Sequence, residues 1–238
     1  MMTSVVATNI SVEFPIYGGK SRSLKNTFIR AATGGLLARD AADHVVIRAL
    51  NDLSFEFREG DRVGIVGHNG SGKSTLLRTI AGAYEPVSGA IDVAGKLATM
   101  LSISLGMDTE STGYENIFLR ATIMGLRTRE IEPLVDDICA FSELGDYIHM
   151  PMRTYSSGMS MRLAFAISTS FPADIVLMDE WMSVGDAEFS IKAQARLRSM
   201  LDQAHILVLA SHDEQLIRRN CNKIMHLDHG QLVSLDSV

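Results

Sequence analysis

Cysteine is scarce in this chain, with two residues in 238. Cys139 and Cys221 form neither a CxxC pair nor a Cys/His ligand spacing, which excludes a disulfide-stapled secreted module and a cysteine-based zinc site. Two buried thiols in a reducing compartment are expected instead. An excess of positive charge is also missing: Lys+Arg 22 against Asp+Glu 28 leaves a net charge of −6. Such a balance supplies no field to hold a nucleic-acid backbone, so nucleic acid is not an expected partner. No apolar run approaches the roughly 20 residues that cross a bilayer, and the opening residues MMTSVVATNISVEF lack a basic segment followed by an apolar one. The chain is therefore expected in the cytoplasm, reaching a membrane only through a partner. Neither repeats nor low-complexity tracts occur. What remains, 46% hydrophobic and 21% charged, is the composition of a globular protein with one large domain or a core with one subdomain.

Residues 5–14 and 45–57 carry β-branched and aromatic side chains in partial alternation, the pattern of half-buried strands. Between them, residues 20–39 hold Lys20, Arg22, Lys25, Arg30 and Arg39 without an acidic residue, with Leu24, Phe28 and Ala31 at helical spacing. This segment reads as a surface insertion with helical character that would face anionic lipid or solvent. Residues 62–67 read as a buried strand and 73–81 as a helix stopped by Gly82. Thr112 and Glu115 have capping-box spacing ahead of a helix over 112–126. Helical patterns follow at 130–148, 156–170 and 187–202. The short apolar runs 175–178 and 206–210 read as parallel strands buried on both faces, and 224–233 as a closing hairpin turning at Asp228, His229 and Gly230.

The candidate chemistry begins at Gly67, His68, Asn69, Gly70, Ser71, Gly72, Lys73 and Ser74, which match GxxxxGK[ST] between a strand and a helix. Glycines there let backbone N–H groups face phosphate oxygens, and the helix N-terminus adds the positive end of its dipole. Lys73 is placed for the β- and γ-phosphates, with Ser74 as a Mg²⁺ ligand and Thr75 closing the cofactor-binding set. Asp179 and Glu180 end the apolar run 175–178, at a strand edge where open α/β sheets bind ligands. Asp179 is expected to hold Mg²⁺, and Glu180 to orient or deprotonate the attacking water. His212, just past the run 206–210, is a candidate γ-phosphate sensor.

At Tyr155, Ser156, Ser157, Gly158 and Met159, opening a helix just before the Asp179 strand, the sequence resembles the LSGGQ signature of ATP-binding-cassette ATPases. Ser183, Val184, Gly185 and Asp186 are similar to that family's D-loop, and His212 to its switch histidine. All of these motifs stand in the family's order. The resemblance implies an α/β fold, a P-loop NTPase (RecA-like) core with an N-terminal antiparallel β subdomain and an inserted helical subdomain. Residues 1–99 and 171–238 would form the core and 100–170 the helical subdomain, with no C-terminal carbohydrate-binding domain. It further implies ATP and Mg²⁺ as cofactors, Glu180, His212 and Lys73 as catalytic residues, and a homodimer in which Ser156, Ser157 and Gly158 meet ATP held by the facing subunit. Tyr17 would stack on adenine, with Phe14 as a core residue. Two departures stand out: Ser157 and Met159 replace the signature's second glycine and glutamine, and no glutamine occurs from Leu76 to Thr154, leaving Ser104 where the family places one.

Leu105, Gly106, the run TGYENI at 112–117 and the run SVGDAEF at 183–189 look like ATPase subunits of bacterial polysaccharide exporters, which handle O-antigen, capsule or teichoic-acid polymers. An ATP-hydrolysing subunit at the cytoplasmic face of the inner membrane is implied, exporting a lipid-linked polysaccharide through a separate integral-membrane partner. Tyr114, Ile117 and Phe118 are the expected anchors for that partner. A cassette ATPase remodelling a ribosome, DNA or protein complex is the alternative; it usually carries tandem cassettes, long heptads or basic arms, whereas this chain has one cassette, no heptads and no overall basic charge.

Overall fold

The computed structural model describes residues 2–16, 37–39, 45–101, 103–180 and 187–238. Contacts divide the chain into two units, one of Met1–Gly95, Leu177–Glu180 and His205–Val238, the other of Lys96–Val176 and Trp181–Ala204.

In the first unit, β1 (Ser4–Pro15) lies between β3 (Val45–Arg58) and β5 (Ser88–Ala94) in an antiparallel sheet whose order is β2-β3-β1-β5. Val5 faces Phe57 on one side and Val93 on the other. Register shifts interrupt the long β1–β3 ladder, where Asn9 and Asp52 adopt left-handed φ angles of 50° and 56° and Asn9 Nδ2 donates to Asp52 Oδ1 at 2.8 Å. Asn and Asp tolerate that conformation, so the bend needs no glycine. β2 (Leu37–Arg39) pairs with β3, Leu37 opposite Ile47. The end of the basic insertion is therefore a strand rather than a helix, drawn into β3's free edge; residues 20–36 lie outside the described residues.

A second sheet follows β4 (Arg62–Val66), flanked in parallel by β8 (Ile206–Ala210) and β9 (Lys223–Asp228), with β10 (Gln231–Ser237) closing an antiparallel hairpin. Every residue of β8 is buried, the burial on both faces expected of its unbroken apolar run. α1 (Lys73–Ile80) buries Leu76, Leu77 and Ile80. The short helix over Glu214–Asn220, which the sequence reading did not anticipate, packs so closely on β4 that a Cβ on Gly64 would lie 2.3 Å from Ile217 Cγ2. β7 (Ile175–Asp179) begins in the second unit and ends in the first, beside β8.

The second unit joins β6 (Leu97–Met100) to helices around Ile117, Ile131, Ile138, Ile148, Leu163 and Ile167. α2 (Gly113–Ile123) starts with the anticipated capping box, Thr112 Oγ1 accepting the Glu115 N–H and Glu115 accepting the Thr112 N–H. The stretch 130–148 is not one helix: α3 (Thr128–Ile131) runs into a 3-10 turn at Pro133, then α4 (Val135–Ser142) and a second 3-10 turn at Gly145–His149. Pro133 accounts for the first break, and Glu143 at φ 55° for the second. α5 (Ser157–Ser168) and α6 (Ala187–Gln203) complete the unit, which takes in residues 171–176 and α6 besides the expected 100–170. Among the described residues no helix is long and apolar enough to cross a membrane.

Candidate active site

Between β4 and α1 the chain turns through residues 67–72. A Cβ on Gly67 would stand 2.2 Å from the Leu227 carbonyl oxygen and 2.6 Å from Ser71 Oγ, and φ is +154°, so glycine alone fits this approach to β9. Lys73 Nζ donates to the carbonyls of Gly67 at 2.7 Å and His68 at 3.0 Å. Both acceptors are neutral, so a phosphate oxygen entering the loop offers Lys73 a charged and stronger partner. α1 has no side-chain cap and no acidic residue in its first turn, which leaves its dipole end and orphan N–H groups to an incoming anion.

An open cavity of about 570 Å³ adjoins this loop. Asn69, Gly70, Gly72, Lys73, Ser74 and Thr75 line one side, Asp179 and Glu180 another, and Ile47 and Ala49 of β3 a third. His68 and Ser71 are not among the lining residues. Ser71 is fully buried with its hydroxyl unpartnered, and its N–H donates to the His68 carbonyl at 3.1 Å. The His68 ring is held by the Asn69 carbonyl and Asp228. Ser74 and Asp179 bring a hydroxyl and a carboxylate into one cleft, the hard oxygen donors that suit Mg²⁺.

Glu180 sits just past β7 at φ 69°, an unusual conformation for a residue with a side chain. Its N–H donates to the Ala210 carbonyl, Oε2 accepts the Ser211 hydroxyl at 2.8 Å, and Oε1 lies 2.9 Å from His212 Nδ1. Burial pushes this carboxyl up, but hydrogen bonds from His212 and Ser211, with the His212 charge, outweigh it and hold the group below its ordinary value. The Glu180 hydrogen bond and charge raise His212 in turn. Glu180, Ser211 and His212 thus form one linked set. Ser211 was missed in the sequence, although its place between a buried strand and His212 is the signal that could have found it; Ile47 and Ala49 carried no signal.

In the second unit, Ser156 caps α5, its Oγ accepting the Met159 N–H at 3.2 Å. The hydroxyl proton remains to be donated. Gly158 is open, since a Cβ there would meet only Ser156 Oγ at 3.8 Å. Ser157 begins the helix. Ser104 is exposed in the turn before Leu105. Phe14 packs edge-on against Tyr84, ring centroids 5.1 Å apart, so it is a packing residue. Tyr17, Asp186 and the D-loop-like segment lie outside the described residues. Ile117 is fully buried in the helical core, which removes it from the expected surface anchors.

Residues 50–183 match the family model described as ABC transporter. The chain is 45% identical over 229 residues to the O-antigen export system ATP-binding protein RfbE of Yersinia enterocolitica, covering 96% of each. It is 37% identical over 224 residues to the teichoic acids export ATP-binding protein TagH of Bacillus anthracis, covering 94% of this chain but 39% of that one. Among solved structures, a dimeric post-hydrolysis state of the ATP-binding cassette MJ0796 bound to ADP and Pi superposes with a TM-score of 0.68, covering 98% of both chains at 18% identity, which speaks for the fold alone.

Proposed function

The chain belongs to the ABC transporter family of ATPases, and on that premise we propose that it is the ATP-hydrolysing subunit of an exporter moving a lipid-linked polysaccharide across the bacterial inner membrane. The observation that carries the reading is the identity of 45% across 96% of both chains with an O-antigen export ATP-binding protein. The cleft supports it by bringing Lys73, Ser74, Asp179 and Glu180 together beside the phosphate loop.

ATP enters with its phosphates against residues 67–75, where Lys73 exchanges the Gly67 and His68 carbonyls for β- and γ-phosphate oxygens. Ser74 and Asp179 would hold Mg²⁺, which when bound neutralises charge on the phosphates. Glu180 orients the attacking water and accepts its proton, while His212, once drawn to the γ-phosphate, releases Oε1 for that task. Ile47 and Ala49 give the cleft an apolar wall beside the phosphate loop. Two copies pair so that the Ser156 hydroxyl and Gly158 N–H of one reach the γ-phosphate held by the other. A separate membrane subunit, bound at the cytoplasmic face, carries the polymer. Its contact on this chain is an apolar set of Leu105, Leu119 and Ile123, the first and last 73% and 61% exposed.

Deleting the gene tests the reading. Lipid-linked polymer should accumulate inside the cell and vanish from its surface, with wild-type protein but not Glu180→Gln restoring export. Normal surface polymer in the deletion strain would sink it and favour a remodelling ATPase.

A further inference from the structure

At the back of the phosphate loop lies a cluster that the ATPase reading does not use. His68 Nε2 is 3.0 Å from Asp228 Oδ1, and His229 Nε2 is 3.8 Å from the same oxygen. The three ligand atoms all fall within 4.8 Å of one another. Donors bound at about 2.0–2.1 Å around one tetrahedral ion stand roughly 3.3 Å apart, and the two imidazole-to-carboxylate distances of 3.0 and 3.8 Å bracket that spacing.

The hydrogen bonding of His68 makes the case stronger. Its Nδ1 lies 2.7 Å from the Asn69 carbonyl oxygen, which can only accept, so Nδ1 carries the hydrogen. Nε2, the remaining ring nitrogen, faces a carboxylate oxygen. A proton on Nε2 makes this contact an ion pair, and a metal ion held between the two atoms takes that proton's place. The Nδ1–H···O=C contact is also the outer hydrogen bond that fixes ring orientation in metal-ligating histidines.

The backbone holds the other two donors in place. The turn between β9 and β10 is tied to the phosphate loop by the Gly230 N–H donating to the Ser71 carbonyl at 2.9 Å, and to β3 by the Asn51 N–H donating to the Gly230 carbonyl at 2.8 Å. His229 is held at φ 45°, a left-handed conformation that persists where the surroundings impose it. The side chains of His68, Asp228 and His229 remain 46%, 56% and 42% exposed, open to an ion from solution.

We propose that His68, Asp228 and His229 form a binding site for a first-row divalent transition metal, separate from the Mg²⁺ position and clamping the phosphate loop to the last hairpin. Two imidazoles and one carboxylate suit Zn²⁺ or Co²⁺, whereas Mg²⁺ prefers an all-oxygen shell. Water completes the coordination.

The test uses tag-free, nucleotide-free protein, because ATP itself binds Zn²⁺. Titration with Zn²⁺ should raise the melting temperature, and Co²⁺ should gain the visible absorption of a tetrahedral site. Loss of outer hydrogen bonds alone weakens metal sites by about 10–100-fold, so Asp228→Asn should weaken Zn²⁺ binding by about 100-fold. His229→Asn should do likewise while keeping a residue that tolerates the turn. His226→Gln, on exposed β9 surface outside the cluster, should bind as wild type. Wild-type protein indifferent to both ions would overturn the site, as would variants at residues 228 and 229 that retain wild-type affinity.

Discussion

His212 Nδ1 lies 2.9 Å from Glu180 Oε1, and the His212 backbone N–H reaches the same oxygen at 3.3 Å. With the Ser211 hydroxyl on Oε2, both oxygens of the candidate base are occupied. A carboxylate so held is a poor base. A γ-phosphate that draws the His212 donor to itself removes the strongest of these restraints and restores basicity when substrate is present.

Glu180→Gln should therefore shift His212. With its carboxylate partner present, the imidazole titrates above 6.5; with glutamine it should fall back toward 6.5, read by NMR of the ring in nucleotide-free protein. The signs for stability follow. The raised His212 contributes fully below pH 6.5 and loses this as pH climbs through its folded value, while the lowered Glu180 contributes fully above 4.5 and loses this as pH falls through its own. The deficit of the variant should be largest between those limits. A His212 titration unmoved by the substitution would remove the pair.

The same variant should lose about 10²–10⁴-fold in hydrolysis, as expected when general-base help disappears. Lys73, Ser74 and Asp179 are untouched, so ATP should stay bound and keep two subunits together, eluting as a dimer with Mg-ATP and as a monomer with ADP. Adding Ser156→Arg should leave the protein monomeric. Hydrolysis at the wild-type rate would refute the base, and inactive protein that never dimerises would refute the shared site.

How much of this was legible depended on whether partners are neighbours in sequence. Residues 67–74 could be recognised because their chemistry is contiguous, and Thr112 with Glu115 because a capping box spans one helical turn. The Glu180–His212 pair was half legible: each residue follows a buried strand, but only the placement of β7 beside β8 joins them. His68 and Asp228 are 160 positions apart and meet through a register that no local pattern encodes. β5 escaped notice because Ile91 and Val93 are its sole β-branched residues, β6 because it is too short for a period to show, and the helix at Glu214–Asn220 because its cap, Asp213, stands beside the more conspicuous His212.

Gly113 offers a test of packing in the second unit. A Cβ there would stand 2.2 Å from Tyr155 Oη, which donates to the Tyr147 carbonyl at 2.6 Å. Gly113→Ala should cost about 1–3 kcal/mol by overpacking, measured by urea unfolding. Tyr155→Phe removes the colliding oxygen, so the double variant should lose less than the two singles combined. Relief should be partial, because Ile148 Cδ1 and its carbonyl oxygen lie 3.1 and 3.2 Å from the same point. Additive losses would show that the tyrosine is not what excludes a side chain. For comparison, Thr112→Ala should cost about 1 kcal/mol by losing the cap.

The surface proposed for the membrane subunit differs from the one the sequence favoured. At about 100° per residue, Leu119 and Ile123 on α2 point roughly 40° apart, while Tyr114 lies some 140° from Leu119. Tyr114 instead packs beside Phe118 and His149, ring centroids 5.5 and 6.0 Å away. Leu105 joins the Leu119 side, since Gly106 comes so close to α2 that a Cβ on it would lie 2.7 Å from Ile123 Cδ1. Ile123→Asp places a charge in the middle of this apolar set, a substitution that disfavours docking through desolvation and leaves the helical core intact. Polymer export in cells should fall at least about tenfold while the isolated subunit hydrolyses ATP at its basal rate, and Tyr114→Ala should export more than Ile123→Asp. The reverse order would return the contact to the Tyr114 face, and equal, undiminished export by both would separate the partner from this helix altogether.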